Sequence, residues 1–143
     1  MSRTLNRFTP FIGRLLLSVL FLLSGSLKIA HWTGTLQGME AMHVPAAPFM
    51  LAVAVFAELA GALAILTGLL ARLASALLVL YLIPVTLLFH AFWAVSAAEQ
   101  GGQLINFLKN LAIMGGLVLL AANGPGPLTL NLKREHPPQP AQG

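Results

Sequence analysis

Apolar positions in this chain fall in four long runs, at about residues 11–30, 48–70, 72–95 and 103–122. A helix needs about 20 mostly apolar residues to cross a hydrocarbon core of about 30 Å, so each run is long enough to span. Backbone amides in lipid have no water to pair with, and each run therefore predicts a helix. The runs are continuous and lack a period of two, which argues against strands. The predicted fold is all-α, an integral membrane four-helix bundle, with one domain over residues 1–132.

Polar positions mark the breaks. Residues 31–47 hold His31, Thr33, Gly34, Gly38, Glu40, His43 and Pro45, a loop with room for a short amphipathic piece. The stretch SAAEQGG, residues 96–102, reads as a polar turn. The link from Gly68 to Arg72 is tight and predicts an antiparallel hairpin of the second and third helices. NGPGP at 123–127 stops the last helix, and the proline-rich, charged stretch at 133–143 reads as a disordered tail. Pro84 is a candidate kink in the third helix. Arg3 and Arg7 ahead of an apolar run ending in SGS also fit a signal peptide. Arg14 interrupts that run, and an uncleaved first helix is the expectation.

Composition sharpens this picture. Of 143 residues 57% are hydrophobic and 8% charged, whereas soluble domains carry about 25% charged residues. Lipid is therefore the expected covering and the first expected partner. Eight Lys and Arg give a net charge of +4, set mostly at span ends, with no basic–aromatic patch for nucleic acid. An even number of spans puts both termini and the 68–72 turn on one side, with Arg3, Arg7, Arg14, Arg72, Lys133 and Arg134. Lys28, Lys109, Glu40 and Glu99 fall on the other. The positive-inside rule then predicts a multi-pass protein of a bacterial inner membrane with both termini in the cytoplasm. The chain has no cysteine. A disulfide framework, a thiolate zinc site and a cysteine-ligated cluster are excluded.

Candidate chemistry starts at Glu58, in the apolar stretch VAVFAELAGALAIL. It lies ten residues past Pro48, roughly 15 Å into the membrane. An ionised acid there costs about 2.5–3.5 kcal/mol on insertion scales and calls for an inward direction and a partner. Lys28, His90 and Lys109, with Asn106 and Asn110, are the candidate partners on the other spans. Helical spacing supports one inward face. Arg14, Ser18, Phe21, Gly25 and Lys28 follow steps of three and four, as do Glu58, Gly61, Ile65 and Gly68. Thr86 and His90, and Gln103, Asn106 and Asn110, form matching stripes. The structural alternative is a packing device: Glu58 paired with Lys28 or Lys109 fixes register, and each lysine alone reads as snorkelling to the interface. Arg14 and Arg72 read as inner-interface anchors. A haem needs two axial histidines, and only a His31–His90 pair is conceivable. His31, His43 and Glu40 match no familiar zinc spacing, so no metal is expected. The stretches at 14–32 and 72–93 share the order Arg-Leu, apolar span, histidine, tryptophan, a faint internal repeat.

The chain resembles the DoxX family of small bacterial inner-membrane proteins. The resemblance rests on RLLLSVLFLLSGSLKI, AELAGALAILTGLLARLAS, TLLFHAFW, QLINFLKNLAIMGGLVLL and GPGPLTLN, and runs from about Arg14 to Leu132. It implies a four-helix membrane bundle associated with quinone-linked or oxidant-defence redox systems. It also implies a shared polar site at Lys28, Glu58, His90, Phe107, Lys109 and Asn110. The expected function is that of an accessory subunit of a membrane redox system. Its polar intramembrane site would take a quinone or another small amphipathic ligand, with Trp93, Phe92 and Phe107 against the ring and Asn106 nearby. With no cysteine, a redox role depends on a bound cofactor such as quinone or on an oxidoreductase partner, and self-association is a further option. A small proton-coupled transporter, or a structural partner of another membrane enzyme, is the alternative.

Overall fold

The computed structural model describes residues 3–130, so the segment read as a disordered tail lies outside the described residues. Five helices follow one another: α1 Arg3–Ala30, α2 Trp32–Ala41, α3 Ala47–Thr67, α4 Ala71–Phe89 and α5 Ala97–Asn123. A single 3-10 turn, Phe92–Ala94, joins α4 to α5. Helices α1, α3 and α5, and α4 with the 3-10 turn, are long and apolar enough to cross a membrane. At 1.5 Å per residue α3 is about 31 Å long, one bilayer core.

Neighbours in the bundle run α1 on α3, α3 on α4 and α4 on α5, with a thinner contact closing α5 against α1. The core follows the predicted inward stripe. Arg14, Ser18 and Phe21 on α1 are all buried, together with Ala62 and Ile65 on α3, Leu78 and Leu82 on α4 and Leu117 on α5. Large apolar side chains such as Leu16, Phe56, Leu80 and Leu119 cover the outside, as a lipid-facing surface requires.

Residues 32–41 form a ten-residue helix within the connection that had room for a short piece. Two elements differ from the sequence reading. The stretch 96–102 is not a turn: Ser96 stands at the N-cap and the rest opens α5, with the Ser96 hydroxyl donating to Glu99 at 2.6 Å. The third span ends as a helix at Phe89, before the 3-10 turn, rather than at residue 95.

The end of the bundle that carries the α3–α4 turn is sealed. Gly68 closes α3 at φ +80°, a left-handed conformation natural to glycine. Residues 124–130 then fold back beneath it, and the Leu130 N–H donates to the Thr67 carbonyl at 2.9 Å. Arg14 holds this arrangement together. Its guanidinium donates to the Ile65 and Leu66 carbonyls at 3.3 and 3.1 Å and to the Leu128 carbonyl. The Ile65 and Leu66 carbonyls lie in the last turn of α3, where a cation is favoured. Only 1% of Arg14 is exposed, so the expectation of an interface anchor is corrected to a buried clamp.

Candidate functional site

Gly25 lets α1 approach α3 closely at the depth of Glu58. A Cβ there would stand 2.8 Å from Leu59 Cδ2 and 3.5 Å from the Glu58 Cβ. Glu58 lies at the middle of α3 and is buried. Lys28, one turn above Gly25, reaches down to it. Side chains on a helix lean toward its N-terminus, and α1 runs away from the sealed end, so the Lys28 stem leans inward. Its Nζ donates to Glu58 Oε1 at 2.9 Å, to Oε2 at 3.0 Å and to the Ser24 hydroxyl at 2.7 Å. Snorkelling is thus corrected for Lys28. Among the described residues this is the one ion pair.

A third member was not among the sequence candidates. Tyr81, the only tyrosine in the chain, donates its hydroxyl to Glu58 Oε1 at 2.7 Å from α4. One signal could have found it. Glu58 and Tyr81 stand at nearly equal distances on either side of the tight α3–α4 turn, so an antiparallel hairpin brings them to one level. Paired with a lysine and bonded by a phenol, the carboxylate is neutralised and its lone pairs are used, which makes its burial tolerable.

Beside this triad lies a cavity of about 480 Å³. Lys28 and Tyr81 face it, while Glu58 stands behind them. Met50 and Leu51 on α3, and Val85 and Leu88 on α4, make apolar walls. Helix α2 roofs it with Gly34, Thr35, Gly38 and Met39, and His90 contributes at the C-terminal end of α4. The volume and the mostly apolar lining with few convergent polar groups are those of a small-molecule pocket.

The remaining predicted residues form a separate cluster toward α5. His90 Nδ1 meets Gln103 Oε1 at 2.9 Å. Asn110 donates to the Thr86 hydroxyl at 3.0 Å, and that hydroxyl donates on to the Leu82 carbonyl at 2.6 Å. Phe107 packs edge-on against Phe92 and Trp93, with centroids 5.5 and 5.9 Å apart. Trp93 is 56% exposed, and neither it nor Phe107 lines the cavity. Asn106 is half-buried on the same stripe. Lys109 is exposed and takes no part in the pair with Glu58. Helix α5 runs in the opposite direction to α1, so its lysine leans toward the roofed end. The structure therefore brings Lys28 and Glu58 together and His90 to their cavity, and leaves Trp93, Asn106, Phe107, Lys109 and Asn110 outside it.

Four membrane-length helices around a neutralised carboxylate beside an apolar cavity define a small multi-pass membrane protein with an intramembrane polar centre. The chain belongs to the DoxX family, whose profile matches residues 9–91. That stretch contains Lys28, Glu58, Tyr81 and His90 and ends before Trp93 and α5. The chain is similar to the inner membrane protein YqjF of Escherichia coli (strain K12), at 38% identity over 120 residues, 84% of this chain and 87% of that protein. It is also similar to the inner membrane protein YphA of the same organism, at 30% identity over 120 residues, 84% of this chain and 86% of that one. No solved structure matches it significantly. It is a multi-pass inner-membrane protein of this family.

Proposed function

We propose that this protein is an accessory subunit of a membrane redox system that holds a quinone-class amphiphile in the cavity beside Lys28 and Tyr81. The observation that carries this reading is the cavity itself, about 480 Å³ of mostly apolar lining ending on the lysine–glutamate–tyrosine triad. Its size suits a substituted ring, its walls suit a ring and the start of a tail, and its polar groups suit ring oxygens. When bound, a quinone supplies two-electron, two-proton chemistry. The chain's own part is to seat the ring, to exclude water with α2 and to keep a proton acceptor, Glu58, one hydrogen bond behind the wall. Electrons come from a partner oxidoreductase. We place both termini in the cytoplasm, because Arg14 and Arg72 stand at the sealed end and Glu40, Glu99 and Lys109 toward the other.

A second reading has its own support. Lys28 is held by Ser24 and by both oxygens of Glu58, and Glu58 by Tyr81, which suits a lock on the register of α1, α3 and α4. One titration separates the two. Protein in nanodiscs is titrated with a short-tailed benzoquinone and with its hydroquinone. The binding reading expects saturable binding of at least one form, weakened about tenfold or more in Gly38→Leu, which fills the cavity from the roof. Absence of saturable binding by both forms leaves the lock.

A further inference from the structure

The four polar side chains on the cavity wall are Lys28, Thr35, Tyr81 and His90. Their protons can be followed one by one. Lys28 directs its ammonium at Ser24 Oγ and, across both oxygens, at the Glu58 carboxylate. The Tyr81 hydroxyl gives its one proton to Glu58 Oε1 at 2.7 Å. The Thr35 hydroxyl gives its one proton to the His31 carbonyl at 3.0 Å. His90 Nδ1 meets Gln103 Oε1 at 2.9 Å. The hydroxyl protons of Tyr81 and Thr35 are committed to the protein, and what their oxygens keep are lone pairs.

At Tyr81 Oη a ligand atom that only accepts would meet an acceptor and leave both sides unsatisfied, which is costly in an apolar site. A ligand that brings an O–H donor completes the network. We propose that the cavity selects hydroxyl-bearing aromatic amphiphiles, phenols and hydroquinones, over their carbonyl or ether counterparts, and that Tyr81 Oη is the acceptor that reads the hydroxyl. The chain of bonds is then ligand O–H to Tyr81 Oη, and Tyr81 O–H to Glu58 Oε1. This rests on the reading of the cavity as the ligand site and narrows its ligand to the reduced, hydrogen-bond-donating form. Lys28 anchors the carboxylate.

A redox-inert pair tests this in the full-length protein in nanodiscs: a 4-alkylphenol and its methyl ether, which match in shape and differ in the donor. Affinities are read by equilibrium dialysis for the wild type, Tyr81→Phe and Gly38→Leu. The expected result is a phenol bound about five- to tenfold more tightly than its ether by the wild type, the worth of one hydrogen bond. Tyr81→Phe is expected to bring the phenol down to the ether's affinity and leave the ether unchanged, and Gly38→Leu to weaken both. Equal binding of phenol and ether by the wild type, with both weakened in Gly38→Leu, overturns the selection and leaves the cavity as the site. A phenol preference that survives in Tyr81→Phe overturns the role of Tyr81. No binding of either compound overturns the cavity as a site as well. The wild-type comparison needs no variant to fold.

Discussion

Glu58 and Lys28 make one unit, and neither is tolerable alone at its depth. Removing the cation from a buried pair leaves an uncompensated charge and costs about 3–5 kcal/mol, whereas replacing both partners by apolar residues of similar volume is often close to neutral. Lys28→Met is therefore expected to destabilise the protein by about that amount, and Lys28→Met with Glu58→Leu to recover most of it, as read by equilibrium unfolding in mixed detergent. Equal losses in the single and double variants would contradict the pairing. The sequence shows this acid plainly, because an isolated glutamate among apolar residues has few places to turn. It does not show which lysine answers it. That choice follows from helix direction, since side chains lean toward the N-terminus and α1 and α5 run oppositely. Tyr81 is harder to see for another reason. A tyrosine in an apolar helix looks like any interfacial aromatic until the hairpin sets its level.

Among the elements, the four spans were legible from hydropathy alone, and their ends were less so. The stretch 96–102 has the composition of a turn, yet Ser96 takes the N-cap position and the rest opens α5. Helix α2 has the glycines of a loop, and its role as a roof depends on α3 and α4 below it. Arg14 has the position of an interfacial anchor, and only the return of residues 124–130 makes it a clamp. This clamp and the turn it holds yield a prediction. Gly68 is at φ +80°, and a Cβ there would stand 2.7 Å from an Arg14 guanidinium nitrogen. Gly68→Ala combines backbone strain with that collision and should cost about 1–3 kcal/mol. Thermal unfolding in detergent measures it. An unchanged melting temperature would mean that the clamp does not hold the end of α3.

At the scale of the whole molecule the bundle is asymmetric along its axis. One end is filled by the buried core and closed by Arg14 and residues 124–130, and the other opens into the cavity under α2. On the proposed topology, with both termini in the cytoplasm, the open end would face outward. The absence of cysteine makes this simple to test, because any introduced thiol is unique. A membrane-impermeant maleimide on intact spheroplasts should label Gln100→Cys and spare Leu70→Cys until the membrane is permeabilised. The reverse pattern would invert the topology. The central claim is that the cavity beside Lys28 and Tyr81 holds a small aromatic amphiphile, and co-purification tests it most directly. Wild type and Gly38→Leu are purified in parallel from native membranes, extracted with organic solvent and compared by mass spectrometry. Leucine for a helical glycine with open space around it favours the helix by about 0.7 kcal/mol, so the variant is expected to remain folded. The account predicts a near-stoichiometric ring-bearing amphiphile from the wild type and its loss from the folded variant. No such compound from the wild type, or equal amounts from both proteins, would contradict it.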